Sequence, residues 1–171
     1  MEVNILFERY SMSARKVIFF TRFEAGLYGA DSITPEHLLL GLARQDPGLL
    51  KHFLSGAADH ESLDSSITVQ TPKKPSISTS VDLPLSNECK RALDFTQEEA
   101  TQLGSEYIGP EHLLLGLLRE EGCTATQLLI ARGARLAEIR TALAANPWQG
   151  SPKNERSRSG SRHDIDTSDF T

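Results

Sequence analysis

The pattern of apolar and polar positions is helical along most of the chain, and it occurs twice. Ala14, Val17, Ile18, Thr21, Ala25 and Tyr28 recur at intervals of three and four, as do Cys89, Ala92, Leu93, Thr96, Ala100 and Leu103. That spacing predicts an amphipathic helix in each stretch. Ser11 and Ser86 stand where an N-cap is needed, and Gly29 and Gly104 where a helix stops. A second helix is predicted to open at Thr34-Pro35-Glu36 and again at Gly109-Pro110-Glu111. Proline loses nothing at a first-turn position, and a carboxylate there meets the positive end of the helix dipole. The LLLGL run that follows is apolar on nearly every side, which predicts a central helix with neighbours all round. Gly41 and Gly116 interrupt that run, each at a cost of about 1 kcal/mol relative to alanine, so both predict close approach of another helix. Shorter helices near Pro47–Leu54 and His60–Ile67, then near Thr124–Arg132 and Leu136–Ala145, complete each stretch.

The two stretches are copies. PEHLLLGL occurs at Pro35–Leu42 and at Pro110–Leu117, and between Ser11 and Leu54 an offset of 75 makes 17 of 44 residue pairs identical. Ser11 falls on Ser86, Glu24-Ala25 on Glu99-Ala100 and Arg44 on Arg119. The expected fold is all-α: two tandem pseudo-symmetric four-helix repeats forming one compact domain over residues 1–146. Repeat 1 covers about 7–68, a linker about 69–84 and repeat 2 about 85–146. The linker carries three prolines and many Ser and Thr, which predicts a non-helical path over the surface. Residues 147–171 are rich in Ser, Arg, Asp and Gly, the composition of a disordered polar tail.

Composition narrows the function classes. Of the 171 residues 39% are hydrophobic and 24% charged, and no window approaches a membrane-spanning run. The start MEVNILFERY lacks the basic and apolar regions of a signal peptide, so a cytoplasmic location is expected. The net charge is −5 with both signs interleaved, which offers no footprint for nucleic acid. Cys89 and Cys123, the only cysteines, supply neither a CxxC pair nor a four-thiolate zinc site and read as reduced core thiols. The order Glu-His at 36–37 and 111–112 is not HExxH, and neighbouring side chains diverge on a helix, so neither a metal site nor a triad is argued. Each histidine is expected to bond local backbone at its helix start. No cofactor is expected, and no enzymatic activity.

The paired units, each an amphipathic helix followed by a (T/G)PEHLLLGL helix, resemble the N-terminal domain of Clp ATPases, the Clp R domain, most of all the ClpC type. The likeness covers about Phe7 to Ala145, with TPEH and GPEH where the family usually has GTEH. The resemblance implies a protein-recognition module that docks substrates or adaptors, or that competes with the same domain of a Clp-type AAA+ unfoldase. These residues contain no Gly-x4-Gly-Lys-(Ser/Thr) phosphate loop, so ATP hydrolysis by this chain is not expected. The alternative is a structural or regulatory scaffold that reuses the fold, with the tail as its contact element.

Glu36 and Glu111 carry the candidate chemistry. A carboxylate at a helix start interacts favourably with the dipole, and facing outward it also accepts paired hydrogen bonds from a guanidinium. Some ClpC-type domains bind phosphorylated arginine through this glutamate, with a first-helix hydroxyl and a nearby basic side chain on the phosphate. Carried over, the resemblance implies Glu36 with Ser11 and Arg15, and Glu111 with Ser86 and Lys90. Ser13 and Glu88 stand where the family often has a further arginine, which favours the first site and sets an acid against phosphate in the second.

Overall fold

A computed structural model describes residues 7–150. Among them eight helices follow one another: α1 Met12–Leu27, α2 Pro35–Gln45, α3 Pro47–Phe53, α4 His60–Gln70, α5 Asn87–Gln102, α6 Pro110–Arg119, α7 Thr124–Ala131 and α8 Leu136–Ala145. The architecture is all-α, and α4 runs three residues beyond its expected end at Ile67. The helix starts and stops follow the local chemistry. Ser11 Oγ accepts from Ala14 N and Ser86 Oγ from Cys89 N, each at 3.1 Å, and Gly29 and Gly104 take φ of +62° and +71° past the helix ends.

The predicted close approach at the two helical glycines is present. A Cβ on Gly41 would lie 2.7 Å from Val17 O and 2.8 Å from Thr21 N, and one on Gly116 would lie 2.5 Å from Ala92 O and 2.8 Å from Thr96 N. Thus α1 crosses α2, and α5 crosses α6, backbone against backbone. Thr21 and Thr96, buried at these crossings, return their hydroxyls to Val17 O and Ala92 O. All the leucines from Leu38 to Leu42 and from Leu113 to Leu117 are fully buried, so α2 and α6 form the shared centre of the core.

The linker leaves α4 and runs back along repeat 1 without helix, Lys74 N donating to Tyr28 O at 3.0 Å and Ile77 N to Gly26 O at 2.8 Å. Beyond α8 the chain does not turn straight to solvent. Trp148 Nε1 donates to Asp46 Oδ2 at 2.8 Å, and its ring packs on His52 and Phe53. Composition had placed Trp148 in the polar tail. An indole provides both apolar area and a donor, and here both are used. The rest of the expected tail, 151–171, lies outside the described residues.

Candidate functional site

The two repeats are tied by an exchange. The segment before α1 forms a parallel bridge with the loop before α6, Tyr10 to Ile108, and the segment before α5 forms the same bridge with the loop before α2, Leu85 to Ile33. Ser11 N donates to Ile108 O at 2.9 Å and Ile108 N to Arg9 O at 3.0 Å. Ser86 N likewise donates to Ile33 O at 2.9 Å and Ile33 N to Pro84 O at 2.8 Å. Each serine-capped helix start is therefore brought to the glutamate helix of the other repeat. The start of α1 with Ser11 thus lies beside the loop leading to Glu111, and the start of α5 with Ser86 beside the loop leading to Glu36, whereas the sequence alone groups each serine with the glutamate of its own repeat.

The two glutamates have diverged in their surroundings. Glu36 Oε2 accepts from Ala125 N at 3.0 Å and so caps the first turn of α7 from outside its own repeat. It lines an open hollow of about 440 Å³ with Glu88, Glu120 and Glu121. The one cation lining this hollow, Arg91, is bonded to Glu120 at 2.7–3.1 Å. Lys90 is not in that hollow. It lines a separate apolar cavity of about 350 Å³ between α1, α5 and the linker, together with Phe7, Ile18, Arg22 and Leu85.

Glu111 is half-buried, its carboxyl accepting from its own backbone, and makes no ion pair among the described residues. Burial pushes its carboxyl up to about 7, and the negative charge of Asp46 adds to the shift. Arg15, one turn into α1, is held by its own backbone, Nε donating to Tyr10 O and Nη2 to Glu8 O, each at 3.1 Å. Its charge has no carboxylate partner among the described residues. At this start of α1 stand a cation, a serine hydroxyl and helix amides, and the bridge to Ile108 sets them beside the loop that leads into the Glu111 helix.

His37 and His112 serve the helix starts, Nδ1 of each accepting from the backbone N–H of Thr34 (3.0 Å) and Gly109 (2.9 Å). Burial holds both imidazoles down at about 4, so both are neutral near pH 7 with Nδ1 free to accept. Burial pushes the Cys89 thiol up to about 12. Cys123 is not a core thiol. It is half-buried at the N-cap of α7.

Two buried carboxylates were not singled out in the sequence. Glu24 and Glu99 are 1% and 0% exposed and occupy matching places in the repeats. Arg44 and His60 bond Glu24, while Arg119 and Arg140 bond Glu99. Burial alone would raise the Glu24 carboxyl, but hydrogen bonds and charge from His60 and Arg44 bring it below its ordinary value. The signal was available: Glu24/Glu99 and Arg44/Arg119 are identical pairs, each 20 residues apart.

The family model described as the Clp repeat (R) N-terminal domain matches residues 9–143. The chloroplastic chaperone protein ClpC of Pisum sativum is 38% identical over 137 residues, which is 80% of this chain and 15% of that protein. The chain thus spans about 15% of the length of the curated relatives it matches. The crystal structure of the N-terminal domain of ClpD from Arabidopsis thaliana superposes with a TM-score of 0.63 at 27% identity, covering 80% of this chain and 92% of that one. A structure from a malarial protein secretion system gives a TM-score of 0.69 at 24% identity over 79% of this chain and 92% of that one, a likeness of fold. Among the described residues no helix is long and apolar enough to cross a membrane.

Proposed function

The chain belongs to the Clp repeat (R) N-terminal domain family, and from that premise we propose that it is a non-catalytic recognition module acting in ATP-dependent protein degradation. Its proposed partners are a Clp-type AAA+ unfoldase, the adaptors of that unfoldase, or substrate proteins. The proposed place of action is the cytoplasm, with the compartment of the chloroplastic relatives as the alternative.

The ligand proposed is phosphoarginine, held at Glu111, Ser11 and Arg15. One observation carries this reading: the exchange of bridges sets the cationic, serine-capped start of α1 beside the loop into the helix of Glu111, a half-buried glutamate with no ion pair among the described residues. A ligand with a guanidinium at one end and a phosphoryl group at the other complements both halves. The matching residues of the other site, Glu36, Ser86 and Lys90, support it less well. Glu36 already caps α7, Glu88, Glu120 and Glu121 oppose phosphate, and Lys90 lines another cavity. Glu111 is thereby favoured over Glu36, the reverse of the expectation from sequence.

Calorimetric titration with phosphoarginine, using arginine and phosphoserine as controls, tests the reading. Selective binding of phosphoarginine is expected, lost in Glu111→Ala and kept within a few-fold in Glu36→Ala. Because the Glu111 carboxyl is held near 7, pairing with a guanidinium pulls it down and releases a proton. The apparent enthalpy should therefore vary with the ionisation enthalpy of the buffer at pH 6–7. Absence of binding by the folded protein, or equal loss in both variants, removes Glu111 from its assigned role.

A further inference from the structure

Helix α1 presents to solvent a ridge that folding does not require. Met12, Phe19, Phe23 and Leu27 succeed one another at spacings of seven, four and four, the repeat of one helix face. Met12 is 70% and Phe19 63% exposed, Leu27 is also exposed, and Phe23 lies half-buried beneath the Arg44 guanidinium. The second repeat supplies an internal control. At the same places α5 carries Asn87, Asp94, Glu98 and Gln102, and α5 crosses α6 just as α1 crosses α2. Polar residues serve the fold at all four positions, Glu98 meeting Arg119 where Phe23 meets Arg44, so the exposed Met12, Phe19 and Leu27 answer to something that covers them. The ridge is edged by Arg15, Lys16 and Arg22, none paired with a carboxylate among the described residues.

We propose that the segment Asp164–Phe170 of this same chain docks on the α1 ridge, its aspartates on the edging cations and its apolar residues on the aromatic side chains. Three observations select this occupant. The first is chemistry. The four basic residues after Gly150 all lie between Lys153 and Arg162, whereas Asp164, Asp166 and Asp169 follow with Ile165 and Phe170 among them, so three acids and two apolar anchors face three cations and an apolar ridge. The second is the point of exit. Trp148 is bonded to Asp46, and the adjacent Gln45 Nε2 donates to Ser13 Oγ at 3.3 Å, so the chain leaves the fold beside the first turn of α1. The third is reach. Residues 151–163 span more than ~40 Å when extended, against about 24 Å for the 16 residues of α1. A second copy fits less well, because α1 against α1 sets three unpaired cations against three. Docking in cis gives the segment a high effective concentration, so it holds the face until a stronger acidic, apolar partner displaces it. The inference does not rest on phosphoarginine binding; Arg15 is the one residue it shares with that proposed site, and Glu111 and Ser11 take no part.

The test uses full-length protein. The receiver is Asp164→Lys/Asp166→Lys/Asp169→Lys, whose own segment no longer matches the ridge, and the probe is a fluorescein-labelled peptide of residues 161–171. Saturable binding by anisotropy is expected, weakening about five-fold or more as salt rises from about 50 to 300 mM. Adding Phe19→Ser/Phe23→Ser to the receiver should weaken binding at least ten-fold with an unchanged circular dichroism spectrum, since α5 shows that polar residues are accommodated there. The unmodified chain should bind the probe several-fold more weakly than the receiver, because its own segment competes. No binding, binding indifferent to Phe19 and Phe23, or equal binding by both proteins overturns the proposal. Self-association of the unmodified chain in sedimentation equilibrium that Phe19→Ser/Phe23→Ser abolishes also overturns it, and assigns the ridge to a second copy.

Discussion

Replacing Glu111 by glutamine should stabilise the protein, and the gain should depend on pH. Burial and the Asp46 charge raise its carboxyl from 4.5 to about 7 in the folded chain, so ionising it is harder folded than unfolded. For an acid shifted upward, the cost to the fold begins above the unfolded value and grows until the folded value is passed. With those two values the cost is about 1 kcal/mol at pH 5 and about 3 kcal/mol at pH 8. Glutamine has the same shape, keeps an oxygen to accept from the backbone of residue 111, and carries no charge to desolvate. Urea denaturation of wild type and Glu111→Gln at pH 5 and pH 8 should show a difference of about 3 kcal/mol at pH 8, falling to about 1 at pH 5, with unchanged m-values. Equal differences at the two pH values, or a destabilised variant at pH 8, would refute the claim that this carboxylate is desolvated without a compensating cation. The variant should also lose phosphoarginine, since the stability recovered is the energy a guanidinium would otherwise recover on binding.

His37 and His112 act in the opposite sense: their stabilisation is complete above about 6.5 and is lost as pH falls toward 4, at about 2 kcal/mol each between pH 7 and pH 5. An NMR titration should place both imidazole midpoints near 4, and a midpoint near 6.5 would contradict the caps at Thr34 and Gly109. Gly41→Ala and Gly116→Ala improve helix propensity but drive a methyl into α1 or α5, so chemical denaturation should show a net loss of about 1–3 kcal/mol in each. Trp148→Phe keeps a ring against His52 and Phe53 but leaves the buried Asp46 carboxylate without its indole donor, so it should lose about 1–3 kcal/mol. A melting temperature unchanged by that variant would show that Trp148 does not anchor the chain to repeat 1.

What could be read from the sequence was what one helix determines by itself. The spacing of Ala14, Val17 and Thr21, the caps at Ser11 and Ser86, and proline at the start of α2 and α6 are local signals, and the structure uses each as read. Gly41 and Gly116 reported a tertiary fact because a costly residue repeated at matching positions needs a packing reason. The grouping of site residues was not legible. An offset of 75 says that Tyr10 corresponds to Leu85 and Ile33 to Ile108, but within-repeat bridges and exchanged bridges leave the same sequence signature. Trp148 was hidden for a different reason. A composition average over a polar stretch does not register one indole whose donor and ring are both used.

The exchange also explains how a duplicated chain acquires unequal sites. Each carboxylate sits at an interface between repeats, so its fate depends on what the other repeat offers there. Repeat 2 offers Glu36 the N–H of Ala125, with the uncharged side chain of Cys123 at the α7 N-cap turned to the Thr126 hydroxyl. Repeat 1 offers Glu111 an acid instead: Asp46, which caps α3 by accepting from Leu49 N at 3.2 Å, sets a negative charge against it. One glutamate is drawn into holding a helix while its copy is left half-buried, without an ion pair among the described residues, and hard to ionise. The difference traces to Asp46 and Cys123, the N-cap residues of α3 and α7, rather than to the PEHLLLGL motif that both repeats share. Asp46→Ser, which keeps a cap oxygen and removes the charge, should therefore lower the Glu111 midpoint measured by carboxyl NMR while leaving α3 folded. A midpoint still near 7 would show that burial alone sets it.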